Sequence, residues 1–338
     1  MNRVVEPDGT AEGRGFVGRH PVACFFVLAS GLSLFALLFD AYIAALEPAI
    51  KALGVPFRTS LIFALQVYLS NPDTLMGIIG SVYHPLTPTI AALVVVGYLG
   101  GWKAVRELLA RFRPWQPGIR TPDALRLWLT AMATMMAVIG STALICYTFA
   151  APGQFTWAPG QFGWLPVWAW FLAGLFTDGG GVGEELGWRG FGSSFLQGKY
   201  APLKAAVFLG LLWAAWHFPA RLPGLFADPL GWIFGHAVFT IGCIAGTIIM
   251  MFFSNKLGGT ALIGVMIHSQ MNDSFQLAGV LNGPETDLLS LGARTVPEVI
   301  AAAIVLYVSK GQLGFDRANP GRRVWTWPQG EQHPLTPR

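Results

Sequence analysis

Three short stretches of this chain place polar side chains where apolar surroundings make them costly. Gly183-Glu184-Glu185-Leu186-Gly187-Trp188-Arg189-Gly190 follows a run, Leu127 to Thr177, that contains no Asp, Glu, Lys or Arg. Trp213-Ala214-Ala215-Trp216-His217-Phe218-Pro219 sets a histidine among aromatics, and His268-Ser269-Gln270-Met271-Asn272 lies in a further apolar segment. Ionisable groups at membrane depth are expensive, so they mark functional candidates. Glu185 and Arg189 stand at i and i+4 with the acid first, the favourable order for a helical ion pair. Glu184 then points about 100° away around the helix, without a local counter-charge. A carboxylate so placed in a low-dielectric pocket suits general-base chemistry. Taken alone, the segment fits an interfacial ion-pair cluster equally well. His268 and Asn272, also at i and i+4, address one point; alone they would more readily be polar glue between helices. His217 alone reads as a satisfied core histidine. His84, beside Pro85, and His236 have no polar companion in the sequence and read as structural.

The elements that must position these groups are helices. With a turn near Lys199–Pro202, Glu184 and His217 each stand about 15 residues from it. At the helical rise both lie roughly 22 Å along antiparallel helices, hence at one depth. The Gly179–Gly183 run is expected to break the fourth helix just before Glu184, and broken membrane helices line cavities.

The rest of the chain asks for lipid. Of 338 residues 53% are apolar and 12% charged, with a mean hydropathy of +0.51. A soluble domain carries about 25% charged residues. A soluble enzyme, a disordered chain, a collagen and a coiled coil are all excluded. Apolar runs predict eight spans: Val22–Leu46; Leu75–Trp102, kinked or broken at Pro85 and Pro88; two within 127–177, divided at 151–153 and 158–160; then about Pro202–Phe218, Leu230–Asn255, Gly259–Leu281 and Leu288–Val308. Each is near the 20 apolar residues a bilayer needs. Phe57–Leu69 is apolar but short and belongs at the interface. Residues 1–20 form a polar tail, 21–310 the membrane domain with its motif-bearing core at about 160–282, and 311–338 a second polar tail. The formal charge of +4 and pI of 9.1 reflect topology rather than a nucleic-acid partner. With the N-terminus inside, only Lys51, Arg58, Arg221 and Arg294 fall in outside segments, Arg189 being set apart. That distribution obeys the positive-inside rule. In the basic loop 103–126, Trp102, Val105, Leu108, Leu109 and Phe112 recur at helical spacing, as in an interfacial helix. Cys24, Cys146 and Cys243 are scattered among apolar residues and give neither a disulfide framework nor a metal pair.

In order and spacing, the three stretches resemble the CAAX-type prenyl-endopeptidases and their bacterial relatives, the CPBP intramembrane proteases. The family pattern is Glu-Glu-x-x-x-Arg, Phe-x-x-x-His and His-x-x-x-Asn; here it reads Glu184-Glu185…Arg189, Trp213…His217 and His268…Asn272. Trp213 stands where Phe is usual, a departure expected to alter packing beneath the site more than its chemistry. The resemblance covers about residues 80–310. It implies an all-α integral membrane protein of about eight transmembrane helices enclosing a cytosol-facing catalytic cavity, in the bacterial plasma membrane with both termini cytoplasmic. It implies an intramembrane endopeptidase with Glu184 as general base and His217 helping to activate and hold the water. His268 and Asn272 would stabilise the oxyanion, with Glu185, Arg189 and Trp213 in support. A zinc ion held by Glu184, His217 and His268, with an open water position, would match a catalytic metal set. A metal-free glutamate mechanism is equally open, since no His-Glu-x-x-His occurs. The implied partners are the bilayer and a peptide or protein substrate at the membrane, lipidated or not. The competing class is a transporter, or a non-proteolytic scaffold or immunity-type protein, using the cluster as a proton relay or structural network. No internal repeat supports a transporter. A serine mechanism through Ser193 or Ser194 lacks its Gly-x-Ser-Gly motif.

Overall fold

The computed structural model describes residues 15–54, 58–156, 167–274, 280–281 and 288–315. The readings made on residues 1–14, 158–160 and 316–338 lie outside that set. Helix α1, Pro21–Leu34, continues through a 3₁₀ turn at Phe35–Phe39 into Asp40–Ala44. Helix α2, Leu61–Ser70, is capped by Ser60, whose Oγ accepts the Phe63 N–H. Helix α3 runs Leu75–Leu109, α4 Thr121–Phe149 and α5 Val167–Gly174. Helix α6, Gly179–Glu185, passes into a π-helical segment, Leu186–Gly192, and then α7, Ser193–Lys199. Helices α8, Pro202–Trp216, and α9, Phe218–Ala227, meet at a 52° bend at His217. Helix α10 spans Pro229–Lys256; α11, Leu262–Ser269, runs into a second π segment, Gln270–Ser274; α12 covers Leu288–Ser309. Among the described residues the strand content is one two-residue antiparallel pairing, Phe155–Thr156 with Val280–Leu281.

The molecule is thus an all-helical membrane protein. Among the described residues, five helices are long and apolar enough to cross a bilayer, or six if the bent α8–α9 pair counts as one. Among the described residues the count of eight is not confirmed, since α5 and α11 are described over eight residues each. Apolar side chains also cover the outside: Leu38, Leu129, Tyr147, Phe149 and Tyr307 are all largely exposed. In water such a surface would be costly, whereas in lipid it is what a spanning bundle presents.

Two local expectations are corrected. The break before the Glu pair lies between Gly174 and Asp178, not inside the glycine run. Asp178 Oδ1 accepts the Gly181 N–H at 2.6 Å, and this N-cap starts a new helix at Gly179. Likewise α3 does not break at Pro85 and Pro88; its backbone leaves helical geometry at Gly101, with φ of 61°. Pro88 cannot donate to the His84 carbonyl, but the Thr87 hydroxyl does so instead at 2.9 Å. The residues after Gly101 remain helical to Leu109, as the loop periodicity predicts.

Helix α3 packs on α1 and on the α6–π segment, α10 on α8 and α12, α12 on α4, and α11 on α6. Phe25 of α1 sets its ring 5.1 Å from Trp188 and 4.9 Å from Phe191, tying the first span to the π segment. Helix α3 comes closest to the segment that carries Glu184 at Gly187: a Cβ there would stand 2.6 Å from the Pro88 carbonyl. Any side chain at 187 would drive α3 off the helix that carries Glu184.

Candidate active site

The hairpin turn falls where the spacing predicts, α7 ending at Lys199 and α8 starting at Pro202. It brings α6 and α8 side by side, and Trp213 of α8 becomes the meeting point of the motif side chains. Its indole Nε1–H donates to Glu184 Oε2 at 2.7 Å. The guanidinium of Arg189 stacks over the indole with Cζ 4.4 Å from the ring centre. His268 approaches the same ring edge-on at 5.1 Å, and His217 at 5.9 Å. Glu184, Glu185, Arg189 and His268 are all buried, with Glu185 fully so.

Glu185 is the shared counter-charge. Its Oε1 accepts from Arg189 Nη1 at 3.0 Å and faces His268 Nδ1 at 2.8 Å. Arg189 Nη2 also donates to Thr247 Oγ1 of α10 at 3.2 Å. The i, i+4 pair therefore also links α6 to α11 and α10, rather than only bracing its own helix. Gly264 of α11 makes room for it: a Cβ at that position would lie 2.6 Å from Glu185 Oε2. Gly264→Ala is accordingly expected to lower stability by about 1–3 kcal/mol, the usual cost of overpacking. A melting curve of the purified variant in detergent checks it.

His268 and Asn272 point the same way, both facing the α6 backbone at Gly180. A Cβ built there would stand 3.1 Å from His268 Nε2 and 3.0 Å from Asn272 Nδ2. Asn272 Nδ2 donates to Asp178 Oδ1 at 3.2 Å, so the cap of α6 also holds the asparagine. His217 sits apart, half-buried at the α8–α9 bend. Its Nδ1 lies 2.9 Å from the Trp213 carbonyl, an acceptor; Nδ1 therefore carries the proton and Nε2 keeps a lone pair. Its ring touches Trp216 at 4.7 Å and Phe239 at 5.0 Å.

The seven motif residues thus share one region, with Trp213 at its centre and His217 on its edge. Among the described residues no three His, Cys, Asp or Glu side chains are arranged to hold a metal. No step below runs through a metal.

Sequence reading missed Asp178, Thr247 and the place of His84. Asp178 carries a usable signal: it is the first charge after Thr177 and precedes three glycines, an N-cap pattern. Thr247, in the middle of apolar α10, carries none. His84 stacks on Trp216 at 4.4 Å and stands 6.4 Å from His217, so it belongs to the edge of this region. His236 stacks on Trp232 at 4.8 Å.

Residues 163–272, the stretch that bears this cluster, match the family model described as type II CAAX prenyl endopeptidase, Rce1-like. A curated relative, CAAX prenyl protease 2 of Methanococcus maripaludis, is 28% identical over 134 residues. The matched region is 38% of this chain and 46% of the relative, so it spans about half of that protein's length.

Proposed function

We propose that this chain, whose residues 163–272 match the CAAX prenyl endopeptidase family model, is an intramembrane endopeptidase that hydrolyses a peptide bond with a glutamate-activated water. Glu184 takes a proton from the water, whose oxygen attacks the scissile carbonyl carbon. The carbonyl oxygen becomes the oxyanion of a tetrahedral intermediate. Glu184 then returns the proton to the leaving amine as the C–N bond breaks. His217 holds the water through the lone pair on Nε2. His268 serves as an imidazolium, its Nδ1–H on Glu185 and its Nε2–H donated to the oxyanion. Asn272 supplies its second amide hydrogen, the first being held by Asp178. Glu185 lies between Arg189 and His268, and with Glu184 as a carboxylate the two acids balance their two positive charges. A cytosolic opening and a prenylated protein substrate are part of the same proposal. What supports it most is one arrangement: a buried carboxylate, two histidines and an ion pair gathered round a single indole, inside the matched segment.

Two consequences can be measured. Asp178→Ala removes the cap and the anchor of Asn272 together. The loss of the cap costs about 1 kcal/mol of stability, and the loosened donor should lower kcat more than it raises KM. The activity itself is tested in proteoliposomes holding the purified chain, offered a farnesylated peptide ending in a C-a-a-X motif and its unmodified counterpart. Cleavage of the farnesylated peptide alone is expected. Equal cleavage of both would remove the prenyl requirement, and cleavage of neither would remove the CAAX-type reading.

A further inference from the structure

We infer that Trp213 is a positioning residue whose indole N–H fixes the orientation of Glu184 and assigns the two carboxylate oxygens different tasks. The inference rests on the peptidase reading above. Trp213 Nε1 donates to Glu184 Oε2 at 2.7 Å, while Oε1 has no hydrogen-bond partner among the described residues. Oε2 is therefore the held oxygen and Oε1 the one that accepts the proton of the attacking water. This revises the expectation drawn from the sequence. A Phe at 213 would fill much of the same space and stack on the same neighbours, but it has no N–H to give.

The indole is itself rigidly held, which is what a positioning group requires. One face carries the Arg189 guanidinium at 4.4 Å, His268 meets it edge-on, and its backbone carbonyl anchors His217. Trp213 is only 4% exposed, so the bond to Glu184 is shielded from competing water. A hydrogen bond to a charged group in such a place is worth enough to change a rate about 10- to 100-fold. It acts on Glu184 before substrate arrives, so its loss falls on kcat and spares KM.

The test separates the N–H from the ring. The tryptophan at 213 is replaced by Phe, and separately by benzothienylalanine, which keeps the bicyclic shape but has sulfur in place of the N–H. Both variants are expected to lose about 10- to 100-fold in kcat on the farnesylated peptide with KM little changed. Full activity of the benzothienylalanine protein, with or without loss in W213F, would overturn the inference and leave Trp213 a packing residue. A readout independent of turnover accompanies it: indole ¹⁵N–¹H spectra of the detergent-solubilised chain. The signal lost in W213F should move in Glu184→Gln. A signal that stays in place would overturn the hydrogen bond. If the wild type cleaves nothing, the peptidase reading fails while the spectra still decide whether Trp213 holds Glu184.

Discussion

Replacing Glu184 by Gln is expected to lower kcat/KM about 10²- to 10⁴-fold, the range for removing a general base, while leaving the protein folded and in the membrane. The amide keeps an oxygen that can accept the Trp213 N–H, so the packing of α6 on α8 is preserved. It cannot take a proton from water. The comparison therefore isolates the chemistry from the architecture. His217→Ala and His268→Ala should also lose cleavage, for different reasons. The first removes the lone pair that holds the water; the second removes an oxyanion donor and leaves Glu185 with Arg189 alone. Wild-type cleavage by all three variants would dispose of the mechanism.

The second large effect is structural. Glu185→Ala should destabilise the protein by about 3–5 kcal/mol, the cost of stripping one partner from a buried ion pair. Arg189 and Glu185 side chains are both fully shielded, so no water can replace the lost carboxylate. Arg189 would be left with the Thr247 hydroxyl and the face of Trp213. Because that guanidinium also braces the indole, the damage should spread to Glu184, giving a protein that is both less stable and inactive. Thr247→Val offers a graded comparison, removing one hydrogen bond worth about 1 kcal/mol. Thermal unfolding in detergent orders the two; equal melting temperatures for Glu185→Ala and wild type would refute the role given to this pair.

The constellation was legible in the sequence because it is carried by local spacing. Glu185–Arg189 and His268–Asn272 each occupy one helix face, and equal distances from the Lys199–Pro202 turn put Glu184 and the α8 motif at one depth. Membrane class was legible from charge scarcity alone. What escaped depends on long-range packing. Asp178 reaches Asn272 only because α11 lies against α6, and Thr247 meets Arg189 only because α10 crosses behind it. Trp213 was read by its size, while the bond from its N–H to Glu184 depends on how α8 packs on α6. The ends of the motif-bearing helices were hidden for a related reason. Hydropathy registers apolar length but is blind to the cap at Asp178 and to the π segment after His268, which interrupt the motif-bearing helices where the site is built. Each π segment carries a motif residue, Arg189 in the first and Asn272 in the second, in keeping with the tendency of such turns to mark functional positions. The prolines of α3 misled for the opposite reason, since the Thr87 hydroxyl repairs the ladder they interrupt.

The central claim, hydrolysis by a water that Glu184 activates, is tested most directly by single-turnover cleavage of the farnesylated peptide in H₂¹⁸O. Wild type and Glu184→Gln are run side by side, with the new carboxyl terminus weighed by mass spectrometry. The account predicts one ¹⁸O atom in the wild-type product and no product from the variant on the same timescale. Labelled product from Glu184→Gln at the wild-type rate would contradict it, as would wild-type product carrying no label.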